Sequence, residues 1–312
     1  MGQNIVTTAE TSSMCKTIIG VIGPTAIGKT ALAIELARHF KTDIISADSR
    51  QFYKEMRIGT AVPSAEELAE ATQHFIQHIS IEDTYSVGDF ERQALEKLNW
   101  LFQSQDRVIM AGGSGLYVNA VIHGLDEFPE VDPAIRASLN EQLKNSGIQI
   151  LQEQLKALDP LYYSEVDKEN PHRLIRALEV SMGTGRPYST FRKNKQKERD
   201  FRSVLIGLTA DRETIYRRID QRVDIMMAQG LLEEVRGLAN KRHLNALNTV
   251  GYKELFEHLE GKTSLDDAIA EIKKNTRRFA KRQLTWFKRN ENVKWFDFRT
   301  PTEEIIEYLI RY

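Results

Sequence analysis

Thr17-Ile18-Ile19-Gly20-Val21-Ile22-Gly23-Pro24-Thr25-Ala26-Ile27-Gly28-Lys29-Thr30 decides the fold. Its first six residues are a short apolar, β-branched run, which predicts a strand closed by glycine. Gly23 to Thr30 then fits G-x-x-x-x-G-K-[ST] at every fixed position, and Ala31 to Phe40 repeats apolar residues at helical spacing. Strand, glycine turn and helix in that order are the context in which this pattern means a phosphate loop. Glycine lets the backbone N–H groups of the loop, Gly23, Thr25, Ala26, Ile27 and Gly28, wrap around phosphate oxygens; Pro24 has none and contributes shape only. The helix N-terminus adds partial positive charge. Lys29 adds a full charge, and Thr30 offers a hydroxyl to a phosphate-bound Mg²⁺. A diphosphate or a triphosphate fits such a loop; the reaction is not specified by it.

Working outward, Asp43–Ala47 and Arg107–Ala111 read as further strands, with a helix predicted over Phe90–Phe102 and Leu95, Leu98, Trp100 and Leu101 as its core residues. Continuous apolar strands alternating with helices predict an α/β fold, a parallel sheet covered on both faces. The character changes after Gly124. Residues 126–170 hold ten Asp or Glu against four Lys or Arg, and helices are expected over 133–144, 148–158 and 171–182. Strand character returns at Ser203–Leu208. Helices follow at 211–229, 231–239, 251–259 and 265–289, then a strand at 293–296 and a helix at 303–310. The expected organisation is a disordered polar tail at 1–13, a phosphate-loop core made of 14–122 and 203–312 with C-terminal helices, and an inserted helical domain at 123–202.

Composition bounds the class. At about 150 residues per domain, 312 residues suggest one large domain or two modest ones. A chain of this length buries roughly three quarters of its unfolded surface, so it needs no covalent staple. The lone cysteine, Cys15, excludes a disulfide framework and a Cys-based zinc site, and fits the reducing cytoplasm. No run approaches the roughly 20 apolar residues of a membrane span, and residues 1–13 lack the basic and apolar regions of a secretory signal. Val6 stands where a myristoylation motif wants Ser or Thr. The net charge is −1, which by itself gives no sign of a nucleic-acid binder; the charge distribution does.

Asp48, in Ala47-Asp48-Ser49-Arg50-Gln51, is the strand-end acid beside the loop. Strand ends on one edge of a parallel sheet converge on the ligand crevice, so Asp48 is a candidate catalytic base; the alternative is a turn cap. Arg218 and Arg222 lie four apart, on one face of their helix. Either one or both reach the phosphate site, or they form a solvated face paired with Asp220 or Asp224. The helix at 171 starts with Asn170 as N-cap and Pro171 at its first position. Its His172, Arg173 and Arg176 form either a clamp for RNA or an ordinary charged surface. Residues 273–294 hold nine Lys or Arg and one acid, Glu291. Lys274, Arg278, Lys281 and Arg282 fall on one helical surface with Phe279, Trp286 and Phe287 interleaved, a stripe suited to a phosphate backbone. His74 and His78 are four apart with no third ligand, so they are read as non-ligands.

Several blocks, in order, resemble the tRNA dimethylallyltransferases, also called tRNA isopentenyltransferases. They are Gly23–Thr30, Asp48-Ser49-Arg50-Gln51, Gly59-Thr60-Ala61, Gly112-Gly113-Ser114-Gly115-Leu116-Tyr117, residues 171–179, Val250-Gly251-Tyr252, and Ala280-Lys281-Arg282-Gln283-Leu284-Thr285-Trp286. The resemblance spans about 17–290. It implies transfer of a dimethylallyl group from dimethylallyl diphosphate to N6 of the adenosine immediately 3′ of a tRNA anticodon. The loop would hold the diphosphate with Mg²⁺, Asp48 would be the general base, and Thr25, Lys29 and Arg222 would join it in catalysis, with Arg218 on the diphosphate. Implied tRNA contacts are Asp48, Ser49, Arg50, Gln51, Ser114, Arg136, His172, Arg173, Leu174, Ile175, Arg176, Val250, Gly251, Tyr252, Lys253 and the Lys274–Arg282 stripe. The family block Gly-Gly-Thr reads Gly-Gly-Ser here, so Ser114 must supply the hydroxyl. The single cysteine matches the shorter bacterial type without the zinc finger of longer eukaryotic relatives. A cytoplasmic monomer acting on the anticodon arm is expected. The rivals are a small-molecule phosphotransferase, a prenyltransferase for free adenine nucleotides, and a nucleotide-gated RNA-binding protein.

Overall fold

The computed structural model describes residues 15–193 and 196–312; the tail expected at 1–13 lies outside the described residues. Six strands, β1 (Thr17–Ile22), β2 (Ile44–Ser46), β3 (Gln73–His74), β4 (Arg107–Gly112), β5 (Arg202–Thr209) and β6 (Lys294–Asp297), form one sheet in the order β3-β2-β4-β1-β5-β6. Every neighbouring pair is parallel. β1 is buried along its whole length. Its side chains alternate between two cores, as strand geometry requires. Ile19 and Val21 pack with Leu32 and Leu36 of α1 (Lys29–Phe40). Ile18 and Ile22 pack on the opposite face with Phe90 and Leu98 of α3 (Val87–Leu101) and Val118 of α4 (Gly115–His123).

Chain contacts divide the protein into two compact units. One contains the described residues up to Ile122 together with Arg199–Tyr312, the other His123–Glu198. The second unit carries α5 (Pro133–Ser146), α6 (Ile148–Leu158), α7 (Pro160–Glu165) and α8 (Pro171–Thr184), packed around Leu139, Leu151, Leu155, Leu174 and Leu178. In the first unit α9 (Arg212–Ala228), α10 (Leu231–Gly237), α11 (Tyr252–Leu259), α12 (Leu265–Phe287) and α13 (Thr302–Ile310) follow β5. Among the described residues no helix is long and apolar enough to cross a membrane.

Three local readings are corrected. α3 begins a turn earlier than expected, because Ser86 and Asp89 form a capping box. Trp100 is 59% exposed rather than core. The buried positions are Phe90, Ala94, Leu98 and Leu101, and Trp100, two residues past Leu98, falls on the other face of the helix with Lys97 over its ring. A short helix α2 (Ala65–Glu70), the two-residue β3, α4 and α7 were not expected. α4 is masked in sequence by Gly112-Gly113-Ser114-Gly115, yet Val118 N–H already donates to the Ser114 carbonyl.

Candidate active site

The phosphate loop is held from three sides. Gly23 takes φ +146°, and a Cβ there would meet the Leu208 carbonyl oxygen at 2.6 Å, so only glycine fits between loop and β5. Lys29 Nζ donates to the Pro24 carbonyl at 2.8 Å. Arg218 Nε donates to the Ala26 carbonyl at 2.7 Å while its guanidinium lies over Phe298. Arg222 Nη1 stands 3.5 Å from Thr25 Oγ1. The solvated alternative for this arginine pair falls away, because Asp220 pairs with Arg277 and Asp224 with Lys273. The third support was missed in the sequence. Gln283, buried on α12, accepts the Thr25 N–H at 2.9 Å and donates to the Gly113 carbonyl at 2.9 Å.

A cavity of about 440 Å³ opens over the loop, lined by Thr25–Ala31, Asp48, Arg50, Gln51, Gly59–Ala61, Glu67, Arg218, Arg222, Val250, Gly251 and Phe279. Asp48 follows β2 and does two things. Its Oδ1 accepts the Arg50 N–H at 3.2 Å, so it does cap a turn, and it also lines the cavity. Burial pulls the Lys29 ammonium down to about 8 from its ordinary 10.5; Asp48 opposes the shift and Arg222 adds to it. Burial likewise lowers Arg222, against Asp48 and Glu67. Ser114 Oγ accepts the Ser49 N–H at 3.1 Å and lies 3.0 Å from Ser49 Oγ. Gln51 turns inward, donating to the Ala61 carbonyl at 2.8 Å. Arg50 stacks on Phe279 at 4.1 Å.

Not every candidate for RNA contact is available. Leu174, Ile175 and Tyr252 are buried in their cores, so their side chains serve packing and their assignment as RNA contacts is withdrawn. Arg136 and Arg176 both hold Glu179, whose side chain is 3% exposed. Burial alone would raise that carboxyl; the two guanidinium hydrogen bonds outweigh it and keep it below its ordinary value. His172 and Arg173 stand exposed at the start of α8, and Lys253, Lys274, Arg278, Lys281 and Arg282 are exposed in the first unit. Lys274 is tied to Glu271. His74 pairs with Asp43, and His78 sits among Phe52, Phe75 and Tyr85. Among the described residues no cluster of three or more His, Cys, Asp or Glu forms a metal site.

A parallel sheet with a phosphate loop at the C-terminal end of its inner strand β1, a strand-end carboxylate and two arginines on that loop define the class: a phosphate-loop α/β protein of the NTPase-like type. The comparisons narrow it. Residues 51–290 match the model of the family described as IPP transferase. The tRNA dimethylallyltransferase of Christiangramia forsetii is 60% identical over 296 residues, 95% of this chain and 98% of the relative. That of Flavobacterium johnsoniae is 58% identical, over 95% and 97%. The crystal structure of a full-length tRNA isopentenylpyrophosphate transferase from Bacillus halodurans superposes with TM-score 0.70 at 35% identity, covering 95% of this chain and 96% of that one. A eukaryotic dimethylallyltransferase acting on tRNA superposes with TM-score 0.75 at 25% identity, over 91% and 74%. The chain belongs to the IPP transferase family.

Proposed function

We infer that this transferase moves a dimethylallyl group from dimethylallyl diphosphate to N6 of the adenosine immediately 3′ of the anticodon in tRNA, releasing diphosphate. One observation carries the mechanism: Asp48, Lys29, Arg218 and Arg222 line a single cavity over the phosphate loop. The adenine amine is a weak nucleophile, because its lone pair is delocalised into the ring. Asp48 accepts a hydrogen bond from N6 and takes the proton as the new C–N bond forms. The allylic C–O bond breaks, and the charge growing on the leaving diphosphate meets Lys29, the loop amides and the two arginines. Thr25 holds the loop's rim beside Arg222.

The donor set fits Mg²⁺. Thr30 offers one hydroxyl in the cavity wall, and among the described residues no carboxylate cage surrounds it, the pattern of an ion bound through substrate phosphates with few protein ligands. When bound, Mg²⁺ supplies further neutralisation of the leaving group. A monomer is proposed as the acting unit, and the lone cysteine with a tRNA substrate supports a cytoplasmic setting. An unpaired anticodon-loop base is reached at a cost of a few kcal/mol. Labelled dimethylallyl diphosphate offered separately with unmodified tRNA, AMP and ATP tests the reading: label should enter tRNA alone, and transfer to AMP in preference would replace it.

The two exposed basic regions grip the arm. Each lost phosphate contact flattens the salt dependence of log affinity by about 0.7 for single-stranded RNA. Arg173→Ala should therefore flatten the slope by about one contact, and Lys281→Ala with Arg282→Ala by about two. An unchanged slope in filter binding from low to moderate salt removes these residues from the interface. Arg176→Ala is a poorer probe, since it also strips a partner from buried Glu179.

The position of Lys29 predicts a pH signature. Its ammonium is half ionised near pH 8, charged well below it and neutral well above it, whereas the bound diphosphate favours the charged form. Affinity for a non-reactive thiolodiphosphate analogue is therefore expected to hold up to pH 8 and then fall, up to about tenfold per pH unit, with uptake of a proton on binding. Calorimetry from pH 7 to 9.5 checks this; a flat profile contradicts it.

A further inference from the structure

The carboxylate of Glu234, on α10, accepts four hydrogen bonds. Oε2 takes the N–H of Arg57 at 3.0 Å and of Ile58 at 2.7 Å; Oε1 takes the N–H of Gly59 at 3.0 Å and the hydroxyl of Tyr252 at 2.6 Å. That uses all of the roughly four lone-pair sites a carboxylate has. Three successive amides converging on one anion form a nest of the kind that elsewhere binds phosphate. Here the protein fills it with its own side chain, tying the segment 57–59 to α10 across 175 or more positions of sequence.

The segment so tied is a wall of the cavity. Gly59, Thr60 and Ala61 line the cavity that holds Asp48 and Lys29. Arg57, Ile58 and Ala61 line a second cavity of about 550 Å³, and Thr30, Ala61, Glu67 and Arg222 border both. The loop is compact, with Ala61 at φ +50° and its N–H donating to the Ile58 carbonyl. Its other anchor is Gln51, which reaches the Ala61 carbonyl. Gly59 is required where it stands, because a Cβ would lie 2.6–2.8 Å from the Tyr252 ring. Tyr252 is thus pressed on the loop by packing and joined to Glu234 by its hydroxyl.

We propose that Glu234 is a positioning residue for prenyl transfer: its carboxylate, filled by the Arg57, Ile58 and Gly59 amides and the Tyr252 phenol, fixes the 57–61 loop where it lines both cavities and so sets the shape of the space in which the acceptor amine meets the allylic carbon. This rests on the transferase reading above. Glutamine at 234 has one acceptor oxygen and turns an NH₂ toward amide donors, so at least one edge of the nest opens. A displacement of about 1 Å in a positioning element costs on the order of 10²-fold in rate.

The test compares wild-type, Glu234→Gln and Tyr252→Phe full-length enzyme. Single-turnover transfer at saturating tRNA and dimethylallyl diphosphate should fall about 10–100-fold in Glu234→Gln and about threefold to tenfold in Tyr252→Phe, which removes one donor and keeps the ring. Dissociation constants for tRNA and the thiolodiphosphate analogue should stay within about threefold, a split that general loss of folded protein would not produce. Amide exchange at Arg57, Ile58 and Gly59 should quicken at least about tenfold in Glu234→Gln. Unchanged exchange in a folded Glu234→Gln overturns the proposal, and so does faster exchange with an unchanged transfer rate. If Glu234→Gln does not fold, wild-type rates in Tyr252→Phe overturn it instead. A wild-type enzyme that transfers nothing to tRNA would sink the transferase reading and with it the role in transfer, whereas slowed variants beside an active wild type support both.

Discussion

Asp48→Asn is expected to slow single-turnover transfer to tRNA about 10²-fold or more while leaving tRNA affinity within a few-fold. The amide is nearly the same shape and keeps an oxygen for the Arg50 N–H, so the turn that follows β2 survives. What it loses is the ability to take the N6 proton. It also removes the one charge that opposes burial at all three of Lys29, Arg50 and Arg222. The Asn variant should therefore titrate Lys29 below its wild-type value of about 8, and the diphosphate affinity should start to fall at lower pH. Two measurements then separate the two roles of the carboxylate. A variant that transfers at the wild-type rate makes Asp48 a turn cap only. A variant that loses rate solely above the new Lys29 pKa makes Asp48 an electrostatic partner of the lysine rather than the base.

What the sequence makes legible is what the backbone does locally. β1 to α1 follows from a β-branched run, two glycines and a helical repeat, and β1 ends where the glycine stands. Asp48 is legible because a strand end in a parallel sheet has only one edge to face. Arg218 and Arg222 share a face by helical spacing, although nothing local told whether the loop or the aspartates would take them; the ion pairs of Asp220 with Arg277 and of Asp224 with Lys273 decide it. The unread parts are long-range. Gln283 meets Thr25 across 258 positions, and a glutamine inside a 23-residue helix looks like any polar surface residue. Glu234 is one of two adjacent glutamates; Glu233 is exposed and Glu234 fills the nest. Leu174 and Ile175 illustrate the converse. They sit in a block whose His172 and Arg173 are exposed, yet one helical turn carries both an outer and a core face. Motif blocks mark a segment as functional without saying which of its side chains point to the ligand and which hold the segment in place.

Lys29→Ala should have the second large effect, confined to the isoprenoid side. Removing one preorganised donor from a developing oxyanion typically costs about 10²–10³-fold, and transfer from dimethylallyl diphosphate should fall by that order. The tRNA dissociation constant should be unchanged, because the exposed basic residues of α8 and α12 lie on other elements. The direction of the lysine pKa sharpens the expectation. Burial keeps Lys29 near 8, so at neutral pH the protein holds a desolvated cation with Asp48 opposing the cost. A bound diphosphate relieves it, and the relief grows as charge moves onto the leaving group. Alanine forfeits that gain and also the bond that ties Nζ to the Pro24 carbonyl. Part of the loss should therefore appear in diphosphate affinity and the larger part in the transfer step. The loop conformation itself should persist, since Gln283 and Arg218 hold Thr25 and Ala26 independently of the lysine. The wild-type enzyme should not consume ATP, although a phosphate loop can bind it. Steady, tRNA-stimulated release of inorganic phosphate from ATP by the wild type, abolished in Lys29→Ala, would instead assign the loop to phosphotransfer.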